Sequence, residues 1–158
     1  MKLIVERKIL AALRVRLGKI RQSNGFNTDA GVNLARGKVI DPDHDPLPAL
    51  AIDDGDGAVL VNRQARHVLL WQWTPRIIGY RHITDDVNKG GLDQLLDLAE
   101  DIMNAIYETE PRPLGGLATD VVPVRRDLIL PEAGSVVGVA AVTFDIDFAV
   151  DALEDISG

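Results

Sequence analysis

The chain has no cysteine among its 158 residues, which excludes a disulfide framework, a thiol nucleophile and Cys-ligated zinc. Aromatic residues make up only 4%, too few for the stacking platforms that hold single-stranded nucleic acid. No stretch reaches the roughly 18 consecutive apolar residues of a membrane helix. The opening Met1-Lys2-Leu3-Ile4-Val5-Glu6-Arg7-Lys8 is charged before the apolar part of a secretion signal would begin. The expectation is therefore a soluble protein made and kept in a cytoplasm, with no membrane partner. Basic residues are the minority, 17 Lys and Arg against 24 Asp and Glu, for a formal net charge of −7. Such a surface repels a phosphate backbone, so direct nucleic-acid binding is not expected.

What is present suits one folded domain. An ordinary domain runs about 100–200 residues, and hydrophobic residues at 46% with charged residues at 26% match average globular usage. A chain of this size buries about two thirds of its unfolded surface, enough to fold without staples. The expected organisation is a single domain over residues 1–150, followed by an acidic, flexible tail at 151–158. The charge is unevenly spread. Met1 to Gln22 holds seven basic residues (Lys2, Arg7, Lys8, Arg14, Arg16, Lys19, Arg21) against the single acid Glu6, a net of +6, so the remainder carries −13. A basic end on an acidic body attracts copies of one protein head to tail, although a solvated helix face has the same composition.

Leu3 to Ile20 is predicted as an amphipathic helix, because Leu3, Ile9, Leu10, Leu13, Leu17 and Ile20 recur at steps of three and four. Gly25 is its expected left-handed stop. Ala30 to Arg36 reads as a short strand. Pro42, Pro46 and Pro48 make Val39 to Pro48 an extended loop. Ala49 to Asp53 is a buried strand closed by the turn Asp53-Asp54-Gly55-Asp56-Gly57, and Arg66 to Gly79, broken at Thr74-Pro75, is one long strand or a hairpin. The strongest helix signal is Leu92 to Tyr107. Leu92, Leu95, Leu96, Ala99, Ile102, Met103, Ile106 and Tyr107 form its apolar face, and Asp93, Asp97, Glu100, Asp101 and Glu108 face the other way without one basic residue. Asp120 to Leu130 is a strand interrupted at Pro123, which places it at an edge or a bulge. Ser135 to Val150 is the clearest strand, with Val142, Phe144, Ile146, Phe148 and Val150 on one side and Thr143, Asp145, Asp147 and Ala149 on the other. Strands grouped and hairpin-linked between two helices predict an α+β fold: a mostly antiparallel sheet, two helices packed on one face and a long C-terminal β-hairpin.

Candidate chemistry is sparse. Asp41, Asp43 and Asp45 alternate as in a calcium loop, but the sixth and twelfth places from Asp41 are Pro46 and Ile52 where an EF-hand needs Gly and Glu. A solvated turn explains them, and Asp53, Asp54 and Asp56, equally well. His67 and His82 would approach each other if Arg66 to Ile83 folds as a hairpin, though no third ligand is evident. The serines, Ser23, Ser135 and Ser157, fall in turns or tails, and no nucleophile elbow or phosphate-binding glycine loop occurs. Asp145 and Asp147 share a strand face without a pocket to shift them. Trp71 and Trp73 point to one side of a strand, as core residues or, if uncovered, as a protein-binding anchor. No catalytic residue, cofactor or metal is expected, and the protein is not read as an enzyme.

Taken in order, the elements are similar to those of bacteriophage tail terminator proteins, also called tail completion or minor tail proteins. The resemblance lies in the charged N-terminal helix, Gly25-Phe26-Asn27-Thr28-Asp29-Ala30-Gly31 leading to Arg36-Gly37, and the loop ending Leu47-Pro48-Ala49-Leu50-Ala51-Ile52. It continues through Asp101-Ile102-Met103-Asn104-Ala105-Ile106, the Leu114-Gly115-Gly116-Leu117-Ala118 turn, and the closing hairpin with Phe144-Asp145-Ile146-Asp147-Phe148. Trp71 to Lys89 is longer and more aromatic than that pattern. The resemblance implies a small α+β subunit that assembles, typically as a hexameric ring, on the head-proximal end of the tail tube. There it stops tube growth and presents a surface for head–tail joining. Its partners would be copies of itself, the tail tube protein and a head-completion or connector protein, in a virion assembled in the bacterial host cytoplasm. Another head–tail connector or minor tail component is the alternative, and a small metal-dependent enzyme a more distant one. The candidate subunit interface pairs Arg7, Arg14, Arg16 and Arg21 of the basic helix with Asp93, Asp97, Glu100 and Asp101 of the acidic one, because opposite charges make a heterologous contact directional.

Overall fold

A computed structural model describes residues 3–35, 39–107 and 112–153. It is an α+β fold of two α-helices and a six-stranded antiparallel sheet. Helix α1 (Ile4–Gly18) buries Ile9, Leu13 and Leu17, spaced by four so that they share one face. It ends earlier than Gly25 suggested. The Lys19 and Ile20 amides close a tight last turn on the Arg16 and Leu17 carbonyls, both at 3.1 Å, and Gly25 (φ 89°) instead ends a separate 3₁₀ turn, Gln22–Asn24. Helix α2 (Gly91–Ile106) starts behind an extended Gly90, with Asp93 in its first turn, where the helix dipole favours negative charge.

The strands are β1 (Ala49–Asp53), β2 (Ala58–Arg63), β3 (Val68–Trp73), β4 (Arg76–His82), β5 (Asp120–Ile129) and β6 (Val137–Asp151). β3 and β4 both pair with β6 in one unbroken register: Trp73 lies opposite Ile146 and Arg76 opposite Thr143. Between them the Phe144 amide bonds the Pro75 carbonyl at 3.1 Å. Residues 68–82 are thus one long strand, nicked where Pro75 lacks an N–H. That outcome decides against the hairpin and places His67 and His82 near opposite ends, about 50 Å apart at the usual rise per residue. β1 and β2 run along the other side of this strand, joined by the Asp54–Gly57 turn, and β5 takes the free side of β6. The six strands therefore make four ribbons in the order β1–β2, β3–β4, β6, β5, each antiparallel to the next.

Both helices contribute to one core on one face of this sheet. β6 alternates as expected: Ala140, Val142, Phe144, Ile146, Phe148 and Val150 are buried in it, while Thr143, Asp145 and Asp147 are half-buried on the outer face. Each fully buried large side chain contributes about 1.5–3 kcal/mol. Glycine sets how closely α2 approaches: a Cβ at Gly79 would lie 2.7 Å from Leu98 Cδ2, and one at Gly138 2.9 Å from Leu95 Cδ2. Trp71 and Trp73 point into this core, and Trp73 Nε1 donates to the Asp54 carboxylate (2.8 Å) and carbonyl (3.1 Å). On the outer face Ile40, Ala49 and Ala51 make a small second cluster with Ala35, Leu47 and Tyr80, where the proline-rich loop folds over β1.

Four expectations need correction. Ala30–Asn33 is a 3₁₀ turn, and Leu34 makes only an isolated parallel bridge to Leu50. The reason is crowding, because Gly31 N–H bonds the Ile20 carbonyl at 2.9 Å and a Cβ there would meet the Ile20 and Leu17 backbone. The apolar face of α2 is rotated: Gln94, Leu98, Asp101 and Ala105 are buried, whereas Leu92, Leu96 and Tyr107 are 51%, 36% and 57% exposed. Strand β2 adds to the expected elements: Val59, Leu60 and Val61 show no alternation in sequence, and all three are exposed. Finally, β6 runs through Asp151, so the expected tail does not begin there, and residues 154–158 lie outside the described residues, as does Glu108.

Candidate functional site

The two helices pack side by side, so their opposite charges are first of all neighbours within one subunit. The eight candidate interface residues divide by environment. Arg7, Arg21, Asp93 and Glu100 are exposed, and Arg21 Nε reaches the Gly18 carbonyl at 3.5 Å. Asp97 is half-buried and bonded to Lys89 Nζ at 2.6 Å, a contact that raises the Lys89 pKa. Arg14 is half-buried, with Nε enclosed and lacking a hydrogen-bond partner. Arg16 (8% exposed) and Asp101 (2%) are buried within the fold, which removes them from the surface assigned to them.

Asp101 instead holds the chain that follows α1. Its Oδ1 accepts the Asn27 amide at 2.8 Å, and its Oδ2 accepts the Thr28 amide at 2.8 Å and the Thr28 hydroxyl at 2.7 Å. Burial pushes its carboxyl above the ordinary aspartate value, against the pull of these donors. Gln94 does the same work at the other end of α2. Its amide nitrogen donates to the Thr84 and Lys89 carbonyls (2.8 and 3.0 Å), and its oxygen accepts the Thr84 amide at 3.0 Å. Both look like ordinary solvent-face residues in a periodicity count. The only hint in the sequence is that each sits at the border of the apolar stripe.

The surfaces left open lie at the two edges of the sheet. Among the described residues no strand pairs with the outer side of β2 or of β5. On the first edge Val59, Leu60 and Val61 are 60%, 48% and 63% exposed, next to a turn whose Asp53, Asp54 and Asp56 are all exposed. On the second, Val122 and Val124 are 39% and 49% exposed, and Arg125 and Arg126 follow them. Arg125 Nε spans both Asp127 oxygens at 3.0 Å, and Arg76 Nη2 lies 3.7 Å from Asp127. Both edges carry features that discourage indiscriminate pairing: a register shift after Leu60, another at Pro123–Arg125, and a proline without a donor.

The remaining candidates are held locally. His44 Nδ1 and Asp41 Oδ2 are 2.7 Å apart, which raises the histidine pKa and lowers that of the aspartate. Asp145 accepts from Thr74 Oγ1 at 3.0 Å, and Asp147 from Gln72 Nε2 at 3.1 Å. Among the described residues no group of three His, Asp or Glu converges as a metal site, and no helix is long and apolar enough to cross a membrane. No family model matches the chain, and no curated protein matches it in sequence.

Proposed function

We propose that this protein is a structural subunit of a bacteriophage tail, a terminator that assembles as a ring on the tail tube, ends tube growth and offers the surface for head–tail joining. The observation that carries the reading is the order of elements. A charged helix, a proline-rich loop into a buried strand, an acidic helix and a long closing hairpin follow one another as in the tail terminator family, within one α+β domain. Exposed, opposite charges at Arg7 and Arg21 of α1 and at Asp93 and Glu100 of α2 support a surface that meets other proteins rather than a small ligand. The partners are further copies of the chain, the tail tube protein and a head-completion protein, in the virion. Catalysis and a cofactor form no part of this role.

The test combines native mass across a concentration series, at low and high salt, with binding to purified tail tubes. A closed multimer near six copies, loosened by salt as screening predicts, together with capping of tube ends, is the expected result. A protein that multimerises but leaves tube ends bare would refute the terminator role.

A further inference from the structure

We infer that copies of this chain join head to tail through the two sheet edges, with the β5 edge of one copy, at Arg125 and Arg126, seated against the β1–β2 edge of the next, at Asp53 and Asp56. The inference rests on the self-assembling reading proposed above and moves the contact from the helices to the sheet. Its basis is register. Arg125 lies opposite Thr143, Thr143 opposite Arg76, and Arg76 opposite Asp53, so one row crosses the sheet from a cation at one edge to an anion at the other. The two patches therefore stand at the same level along the strands. Rotation about an axis parallel to the strands preserves that level, so it brings the positive edge of one copy to the negative edge of its neighbour.

Strand direction agrees with this. Four antiparallel ribbons leave the outer two running in opposite directions, so the β5 of one copy meets the β1–β2 ribbon of an unflipped neighbour in antiparallel sense. A two-fold dimer would set like edge against like edge, Arg126 against Arg126 or Asp56 against Asp56, and is disfavoured by repulsion. The contact is accordingly heterologous, the kind that closes into rings or grows into filaments. Exposed Val59 and Leu60 on one side, and Val122 and Val124 on the other, supply apolar surface flanking the charges. Pro123 and the two register shifts argue for side-chain docking over one continuous backbone ladder. Within the subunit Asp54 is tied to Trp73, Asp53 Oδ1 accepts the Gly55 amide at 3.0 Å and Arg125 is bonded to Asp127, so among the described residues Asp56 and Arg126 are the charges with no partner of their own.

The experiment uses the full chain and two exposed sites, Arg126→Glu and Asp56→Lys. Among the described residues neither side chain makes a hydrogen bond or ion pair, and an unchanged unfolding midpoint checks that each variant folds. Sedimentation velocity across concentration should show each single variant needing about tenfold more protein to assemble than the parent, because like charges then meet across the contact. The double variant, and an equimolar mixture of the two single variants, should both regain the parent's assembly. In the mixture each native edge finds a native partner, and the two substituted sites meet with their signs exchanged. Single variants that assemble as the parent does, or weakened ones that neither mixing nor combining restores, overturn the edge contact while leaving the ring reading in place. A parent that stays monomeric throughout overturns both.

Discussion

Asp101→Asn is the most informative single change, because it keeps the shape of a buried side chain and removes its ability to accept from donors on both sides. Three donors converge on Asp101, two of them backbone amides. An asparagine has one acceptor oxygen, so either the Asn27 or the Thr28 amide is left facing an NH₂ group. The lost bond is worth about 0.5–1.5 kcal/mol, and the stranded donor costs about 1–3 kcal/mol. Partial relaxation of the loop leaves an expected destabilisation of about 3 kcal/mol, against about 1 kcal/mol for Thr28→Val, which removes only the hydroxyl. With a urea dependence of about 2 kcal/mol per molar, the unfolding midpoint of Asp101→Asn should fall by about 1.5 M. A midpoint within about 0.3 M of the parent would falsify the assignment of Asp101 as the tie between α2 and the segment after α1. The pH dependence is a second check. Burial sets the native carboxyl above its unfolded value. At low pH both states keep the proton. As pH rises the unfolded chain releases it first, which favours unfolding until the native value is passed. The parent's advantage over Asp101→Asn should therefore be largest at acid pH and shrink as pH climbs through that window; an advantage that grows instead contradicts the direction of the shift.

Gly31→Ala should destabilise by more than about 3 kcal/mol in urea titration, since its Cβ would meet rigid backbone at Ile20 and Leu17 and not a movable side chain. Gly79→Ala meets the side chain of Leu98 alone, at Cδ2 (2.7 Å) and Cγ (2.9 Å), so about 1–3 kcal/mol is expected for the same class of change; equal costs at the two sites would contradict the contrast. Gln94→Leu removes the amide that serves Thr84 and Lys89, and amide exchange at Thr84 should accelerate while β6 keeps its protection. The His44 imidazole should titrate by NMR above free histidine and move downward in Asp41→Asn, because the bonded carboxylate is the main cause of its shift.

How far the sequence reaches depends on how local each constraint is. The inner face of β6 follows from alternation alone, and α2 follows from a four-turn repeat, so both were legible to within a residue or two. The strand nicked at Pro75 was legible only as an alternative, because the choice between hairpin and continuous strand is made by β6, some seventy residues later. Ala30–Asn33 failed for a similar reason: its residues alternate acceptably, but the C-terminal end of α1 already occupies the space a pleated strand needs. Gln94 and Asp101 show the limit of periodicity. Their positions sit at the border of the helical stripe, and only the loops that supply their partners, Thr84 and Asn27–Thr28, make burial affordable.

The charges on the helices and the charges at the sheet edges differ in the same way. A count along the chain finds the basic N-terminal helix at once, because its residues are consecutive turns of one element. Yet α1 and α2 are neighbours in the fold, Arg16 and Asp101 are buried in it, and Asp97 already has Lys89, which leaves fewer of those charges for a second copy than their number suggests. Asp53 and Arg125 are far apart in sequence and lie in stretches that read as a turn and an edge strand. Their relation exists only through three successive strand registers, which put them in one row at opposite sides of the sheet. A directional contact between identical subunits requires two different surfaces of complementary charge at matching height. On the inference drawn above the sheet edges carry that arrangement, and the helix charges that stay exposed, Arg7, Arg21, Asp93 and Glu100, add to the surface open to other proteins.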